Sequence, residues 1–163
     1  MTPRRANIRY LLLFVIIALI VDQVSKILVA NALVPFAQPT KVIGDILRLK
    51  LTFNPYGVFG ISFGSSVLYY IISFVGIIVL IYVGLSVVDK TNLIVLGFII
   101  GGAFGNIIDR IRLNYVIDFI DMGVGNFRWF TYNFADAFIT VGAVYLLIKE
   151  SFGKKDGVNP DLK

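Results

Sequence analysis

Four apolar stretches, separated by charged or turn-forming residues, set the plan of this 163-residue chain. The first, Tyr10–Val21, is uncharged and follows a basic head with Arg4, Arg5 and Arg9. From Leu51 to Val88 there is no charged residue at all. A run of that length exceeds the ~20 residues that carry a helix across a bilayer. The pattern predicts four transmembrane helices, over about residues 8–30, 66–88, 93–112 and 133–149. Between the first two the period changes. Leu47, Leu49, Leu51 and Phe53 alternate with Arg48, Lys50 and Thr52, the mark of a half-buried strand. Pro35, Pro39 and Gly44 punctuate its approach, and Asn54-Pro55-Tyr56-Gly57 ends it. A strand-rich segment over about 40–62 therefore belongs at the membrane surface, because an open sheet edge is not tolerated among lipid tails. A turn at Asp89–Asn92 joins helices 2 and 3, and an outer loop of about 113–131, holding the only Trp (Trp129), joins helices 3 and 4. The expected fold is an α-helical polytopic membrane protein, one integral membrane domain over 1–163, with a small extracytoplasmic β-rich segment between helices 1 and 2.

Composition agrees with a membrane solvent. The chain is 58% hydrophobic and only 15% charged, with a mean hydropathy of +0.86; soluble domains are nearer a quarter charged. A basic head before an apolar run also describes a secretory signal peptide, and Ala30-Asn31-Ala32 is of the A-x-A type. Asp22 and Lys26 separate the apolar run from that site, so the segment reads as a retained first helix. Four helices put both termini and the 89–92 turn on one side, with Arg4, Arg5, Arg9, Lys149, Lys154 and Lys155. The positive-inside rule makes that side cytoplasmic, and the net charge of +5 suits an anionic leaflet. Nucleic acid is not an expected partner, because the basic residues lie at segment ends and form no stripe.

With no Cys and no His, the chain has no thiolate or imidazole chemistry: no Ser-His or Cys-His catalysis, and no thiolate or histidine metal site. Hydrolysis would fall to carboxylates, Lys, Tyr or hydroxyls. Four of the ten acidic residues, Asp109, Asp118, Asp121 and Asp136, lie within 105–136, and Asp22 sits apart on helix 1. Asn106, Asp109 and Arg110 stand at i, i+3 and i+4 and share a helix face; they serve either as interface anchors of a helix end or as part of a site. Asp22 and Lys26 are an acid-first i, i+4 pair that orients or tethers helix 1. Asn133 and Asp136 form an N-x-x-D opening to helix 4, with Asn133 as N-cap. A carboxylate in that first turn meets the positive end of the helix macrodipole, which favours its ionised form. Asp118 is a lone acid in Val116-Ile117-Asp118-Phe119-Ile120, followed by Asp121; the pair reads as one acid in and one acid out. If Asp118 folds back on Asp136, the two share a proton and can divide the work of activating water and polarising a carbonyl.

Five successive motifs resemble those of the bacterial lipoprotein signal peptidases (signal peptidase II). They are Asp22-Gln23-Val24-Ser25-Lys26, Asn54, Gly105-Asn106-Ile107-Ile108-Asp109-Arg110, Val116-Ile117-Asp118-Phe119-Ile120-Asp121 and Tyr132-Asn133-Phe134-Ala135-Asp136. The resemblance covers nearly the whole chain. It implies an aspartic endopeptidase of the bacterial inner membrane, with Asp118 and Asp136 as the catalytic pair. It further implies Asn54, Asn106, Asp109, Arg110 and Asn133 as polar residues lining the site, and Asp22 and Lys26 in support. The implied substrate is a prolipoprotein whose Cys carries a diacylglyceryl group, cut just before that Cys at the outer face, among membrane lipids, with no metal or organic cofactor. The chain departs from the family at Tyr56, where Gly is usual.

Two other classes use the same residues. In a proton- or ion-coupled transporter the intramembrane acids and Lys26 would act as relays; their clustering at one face and the lack of an evident inverted repeat speak against it. In a non-catalytic assembly or lipid-binding protein the Gly-rich third helix would associate with partners.

Overall fold

The computed structural model describes residues 3–55, 66–86 and 89–153. Among these residues, four helices and a four-stranded antiparallel sheet follow in the order α1 (Pro3–Ala32), β1 (Thr40–Ile43), β2 (Leu47–Asn54), α2 (Ser66–Ser86), α3 (Lys90–Leu113), β3 (Val116–Val124), β4 (Phe127–Arg128) and α4 (Phe134–Gly153). Among the described residues two helical stretches, Ile8–Ala32 and Lys90–Leu113, are long and apolar enough to cross a membrane.

Helix α3 is central, and α1, α2 and α4 all pack on it. Its seam with α1 is made by glycines one turn apart. A side chain at Gly101 would meet Val15 O at 2.5 Å, and one at Gly105 would overlap the Asp22 carboxylate. Small residues at this spacing let two backbones approach closely, the usual device where lipid removes any hydrophobic drive between helices. Phe98 links the helices on either side, its ring packed at a tilt against Phe14 of α1 and Phe138 of α4 with centroids 5.1 Å apart in each case. Lys90 sits over the Tyr10 ring, and Lys149 reaches Asp89, so the starts of α1 and α3 and the end of α4 share one end of the bundle. Asp89 is the N-cap of α3 and accepts from Asn92 N at 2.7 Å. The predicted turn at 89–92 is therefore mostly helix: Lys90, Thr91 and Asn92 open α3.

The sheet departs from expectation. The segment over 113–131, predicted as a loop, is largely the strand pair β3–β4, and the β-rich unit is shared between the α1–α2 and α3–α4 connections, with strand order β1-β2-β3-β4. The reason is pairing: β2 alone has an unpaired edge, and β3 fills it along Leu47↔Met122 to Asn54↔Val116. The part of the predicted strand-rich segment over 56–62, including Tyr56, lies outside the described residues. Val116–Asp121 is buried on both faces, so its sequence lacks the alternation that would have marked a strand.

One extra residue on β2 interrupts the register between Leu49↔Ile120 and Thr52↔Asp118. A bulge of this kind re-aims the strand. Before it Arg48 stands opposite Asp121; after it Thr52 stands opposite Asp118. Asp118 and Asp121 are three apart and face opposite sides of the sheet. The bulge thus lets the even positions of β2 serve both.

Candidate active site

The site forms where three elements end. Tyr132 is stitched to β3: its N–H donates to Ile120 O at 3.0 Å, and its carbonyl accepts from Phe119 N at 3.0 Å and Ile120 N at 2.7 Å. Phe119 also packs edge-on against Phe134 at 5.8 Å. These contacts fix the start of α4 beside the strand, so Asn133 and Asp136 arrive next to Asp118. Asn133 Oδ1 accepts from Asp136 N at 3.0 Å, the side-chain cap expected of an N-cap to the third helical residue. The same side chain donates from Nδ2 to Asp118 Oδ1 at 2.6 Å. Asn54, at the end of β2, donates to the other Asp118 oxygen at 3.0 Å. Asn106 of α3 donates to Asp136 Oδ1 at 2.8 Å. Asp118 and Asp136, from a strand and a helix, thus line one cavity of about 810 Å³, with Asn54, Asn106, Arg110, Thr52 and a rim of Phe127, Trp129 and Phe130.

Behind the pair lies a buried ionic knot. Lys26 is 1% exposed. Its Nζ meets Asp22 Oδ2 at 2.8 Å, Asp109 Oδ2 at 2.9 Å and Asn106 Oδ1 at 2.9 Å. An ammonium donates only, so Lys26 fixes the Asn106 amide with its oxygen inward and its NH₂ toward Asp136. That oxygen also accepts from Asn133 Nδ2 at 3.2 Å. Each carboxylate of the knot holds a second element. Asp22 Oδ1 accepts from Ala135 N at 3.0 Å, so α1 helps to cap α4 across the bundle. Asp109 Oδ2 accepts from Ile117 N at 3.2 Å, beside Asp118. Gln23, not singled out from the sequence, donates to Asp109 Oδ1 at 2.9 Å and Gly105 O at 3.2 Å; its place inside the Asp22–Lys26 motif was the available signal.

The expected common face of Asn106, Asp109 and Arg110 is therefore divided. Asp109 turns to α1, Arg110 lines the cavity, and Asn106 joins the two regions. Asp121 differs from the expected outward acid, since it is 4% exposed. Arg48 Nη2 holds one of its oxygens at 2.7 Å and Arg128 Nη2 the other at 2.8 Å, on the far side of the sheet from Asp118. Burial pushes the Asp121 carboxyl up, but the two guanidiniums prevail and hold it below the usual carboxylate range. Asp118 goes the other way. Burial first, then the neighbouring Asp136 charge, push its pKa up from 3.8 to about 7, against the Asn54 and Asn133 hydrogen bonds. Among the described residues no cluster of ligating side chains suited to a metal ion occurs.

The profile of signal peptidase (SPase) II matches residues 14–152. The chain belongs to the signal peptidase II family. A lipoprotein signal peptidase of Francisella tularensis subsp. novicida (strain U112) is 35% identical over 158 residues, covering 93% of this chain and 96% of that protein. One of Caldanaerobacter subterraneus subsp. tengcongensis is 39% identical over 137 residues, covering 81% and 90%. The fold matches two solved bacterial membrane enzymes. One has a TM-score of 0.84 at 24% identity, covering 94% of each chain; the other has a TM-score of 0.76 at 26% identity, covering 85% of this chain and 90% of that one. The protein is a membrane-enzyme fold of helices and a small antiparallel sheet, and a peptidase of the signal peptidase II family. That membership displaces the transporter and assembly-protein alternatives.

Proposed function

We propose that this protein removes the signal peptide from diacylglyceryl-modified prolipoproteins, cutting just before the lipidated Cys, with Asp118 and Asp136 managing the protons of an attacking water. The observation that carries the reading is the meeting of these two buried carboxyls in one cavity, each held by an amide of Asn133, Asn54 or Asn106. Two carboxyls that line one cavity and feel each other's charge can share one proton. We assign the proton to Asp118, which burial and the neighbouring Asp136 charge push up, and the role of base to Asp136, which sits in the first turn of α4 at the positive end of the helix macrodipole. Asp136 takes a proton from water as its oxygen attacks the scissile carbonyl; Asp118 polarises that carbonyl, and a proton then passes to the departing amine as the C–N bond breaks. Asn106 and Asn133 keep the pair aligned, while Arg110 is placed to bind peptide carbonyls on the cavity wall.

All four helices span the inner membrane in this reading, as one domain, with both termini cytoplasmic. Supporting this, the starts of α1 and α3 and the end of α4 share one end, with Lys90 and Lys149, while the sheet and the dyad lie at the other. The sheet then rests at the outer surface, where acyl chains anchored in the bilayer present the peptide bond. Ala137, Thr140 and Val141 of α4 line the cavity and offer a mostly apolar wall for those chains. The expected result with purified protein is cleavage of a lipid-modified precursor immediately before its Cys, read by mass spectrometry of both fragments. Equal rates on the unlipidated precursor would overturn the substrate assignment.

Activity should also fall as pH rises. Above about pH 7 Asp118 loses its proton and the pair can no longer donate. The alkaline limb of the kcat profile is expected to drop about tenfold per pH unit beyond that point. Stability should follow the same direction. The native carboxyl stays protonated to about 7, while the unfolded one ionises near 3.8, so the native state binds more protons across that window. This group's contribution therefore declines as pH rises from 3.8 toward 7. A rate flat to pH 9 would contradict the assignment of the proton to Asp118.

A further inference from the structure

Among the described residues, one buried side-chain polar atom lacks a hydrogen-bond partner, the Thr52 hydroxyl. It does not lie in a remote corner of the core. Thr52 lines the cavity with Asn54 and Asp118, and it stands directly opposite Asp118 in the β2–β3 ladder. Directly opposed side chains on one face of a sheet have Cβ atoms about 5 Å apart. The bulge at 49–52 puts it there; in an unbroken register Thr52 would pair with the residue before Asp118 and face the other side. Its neighbour two residues on, Asn54, already spends its amide on Asp118. The hydroxyl is thus a buried, unpartnered polar atom of a β2 residue that lines the cavity. Valine has the same shape without the desolvation penalty of an unmade hydrogen bond, so packing alone does not explain a threonine.

We infer that Thr52 is a substrate-positioning residue whose hydroxyl donates to a main-chain carbonyl of the bound precursor beside the scissile bond. The inference rests on the reading of Asp118 and Asp136 as the reacting pair. The bond they cut must lie within a few ångströms of Asp118, so what passes the Thr52 hydroxyl is peptide backbone, not acyl chain. A backbone carbonyl is present whatever the precursor's sequence. This contact therefore supports register without restricting which lipoproteins are cut.

The test compares native protein, Thr52→Val, Thr52→Ser and Asp118→Asn on one lipid-modified precursor, with thermal unfolding in the same detergent. A neutral hydrogen bond gained only in the complex corresponds to roughly a fivefold change in affinity. Thr52→Val is expected to raise KM about fivefold with kcat within about twofold of native. Its unfolding temperature should equal or exceed the native one, since an unsatisfied buried hydroxyl is gone. Thr52→Ser should restore the native KM. Native KM and kcat in Thr52→Val would overturn the inference, and so would equal losses in the Val and Ser variants, which would trace to methyl packing. A fall in kcat at constant KM would move the hydroxyl's partner from the peptide to the attacking water, again overturning it. Asp118→Asn separates the two levels. If it still cleaves, the dyad reading fails; if it is inactive while Thr52→Val is native, only the Thr52 inference fails.

Discussion

Asp118→Asn and Asp136→Asn should each lower kcat for a lipid-modified precursor by at least ~10⁴-fold while leaving the protein folded, the scale seen when one member of a concerted catalytic set is removed. The two losses should not add. The double variant is expected to match the worse single one, because each change alone leaves no carboxylate–carboxylic acid pair. The stability readout points the opposite way. Asp118 is 2% exposed, its charged form is disfavoured by burial and by Asp136, and an amide can still accept from Asn133 or Asn54. Asp118→Asn should therefore unfold at the native temperature or above it. An inactive variant that also unfolds early would place Asp118 in the scaffold rather than the chemistry. Cleavage surviving in both single variants would remove the dyad altogether.

Lys26→Met should have the largest effect on stability. It leaves Asp22 and Asp109 buried at 0% and 2% exposure without their shared cation. Removing one partner of a buried ionic cluster typically destabilises by ~3–5 kcal/mol, or roughly 6–20 °C in unfolding temperature for a chain of this size. Activity should fall as well, because Lys26 is the donor that orients Asn106, and Asn106 reaches both Asp136 and Asn133. Asp22→Asn added to Lys26→Met should recover part of the stability by removing one stranded charge, while the Asn106 amide remains unfixed and activity remains low. Thermal scans and kcat on the same preparations separate the two. A Lys26→Met protein with native stability would show that the knot carries no net energy.

Some of this was legible along the chain. The Asn133 cap and the Asp22–Lys26 pair are contacts between residues three and four apart, and helix geometry alone brings such residues together. The strand β3 was not legible. Burial on both faces erased its alternation, so β3 read as a loop. Asp121 read as a solvated acid because Arg48, the nearer-bound of its two guanidinium partners, is 73 residues away in sequence.

The apolar blocks, the caps and pairs within single helices, and the residue types available for chemistry follow from periodicity over a few residues and from composition. The tertiary structure alone decided that Asp118 rides a strand, that a bulge turns Thr52 and Asn54 toward it, and that Asp22 of α1 caps α4 at Ala135, 113 residues on. The physical reason is that a strand, unlike a helix, satisfies its backbone through a partner elsewhere in the chain. The position of Asp118 relative to Asp136 is thus set by which strand edges and helix ends pair across the chain.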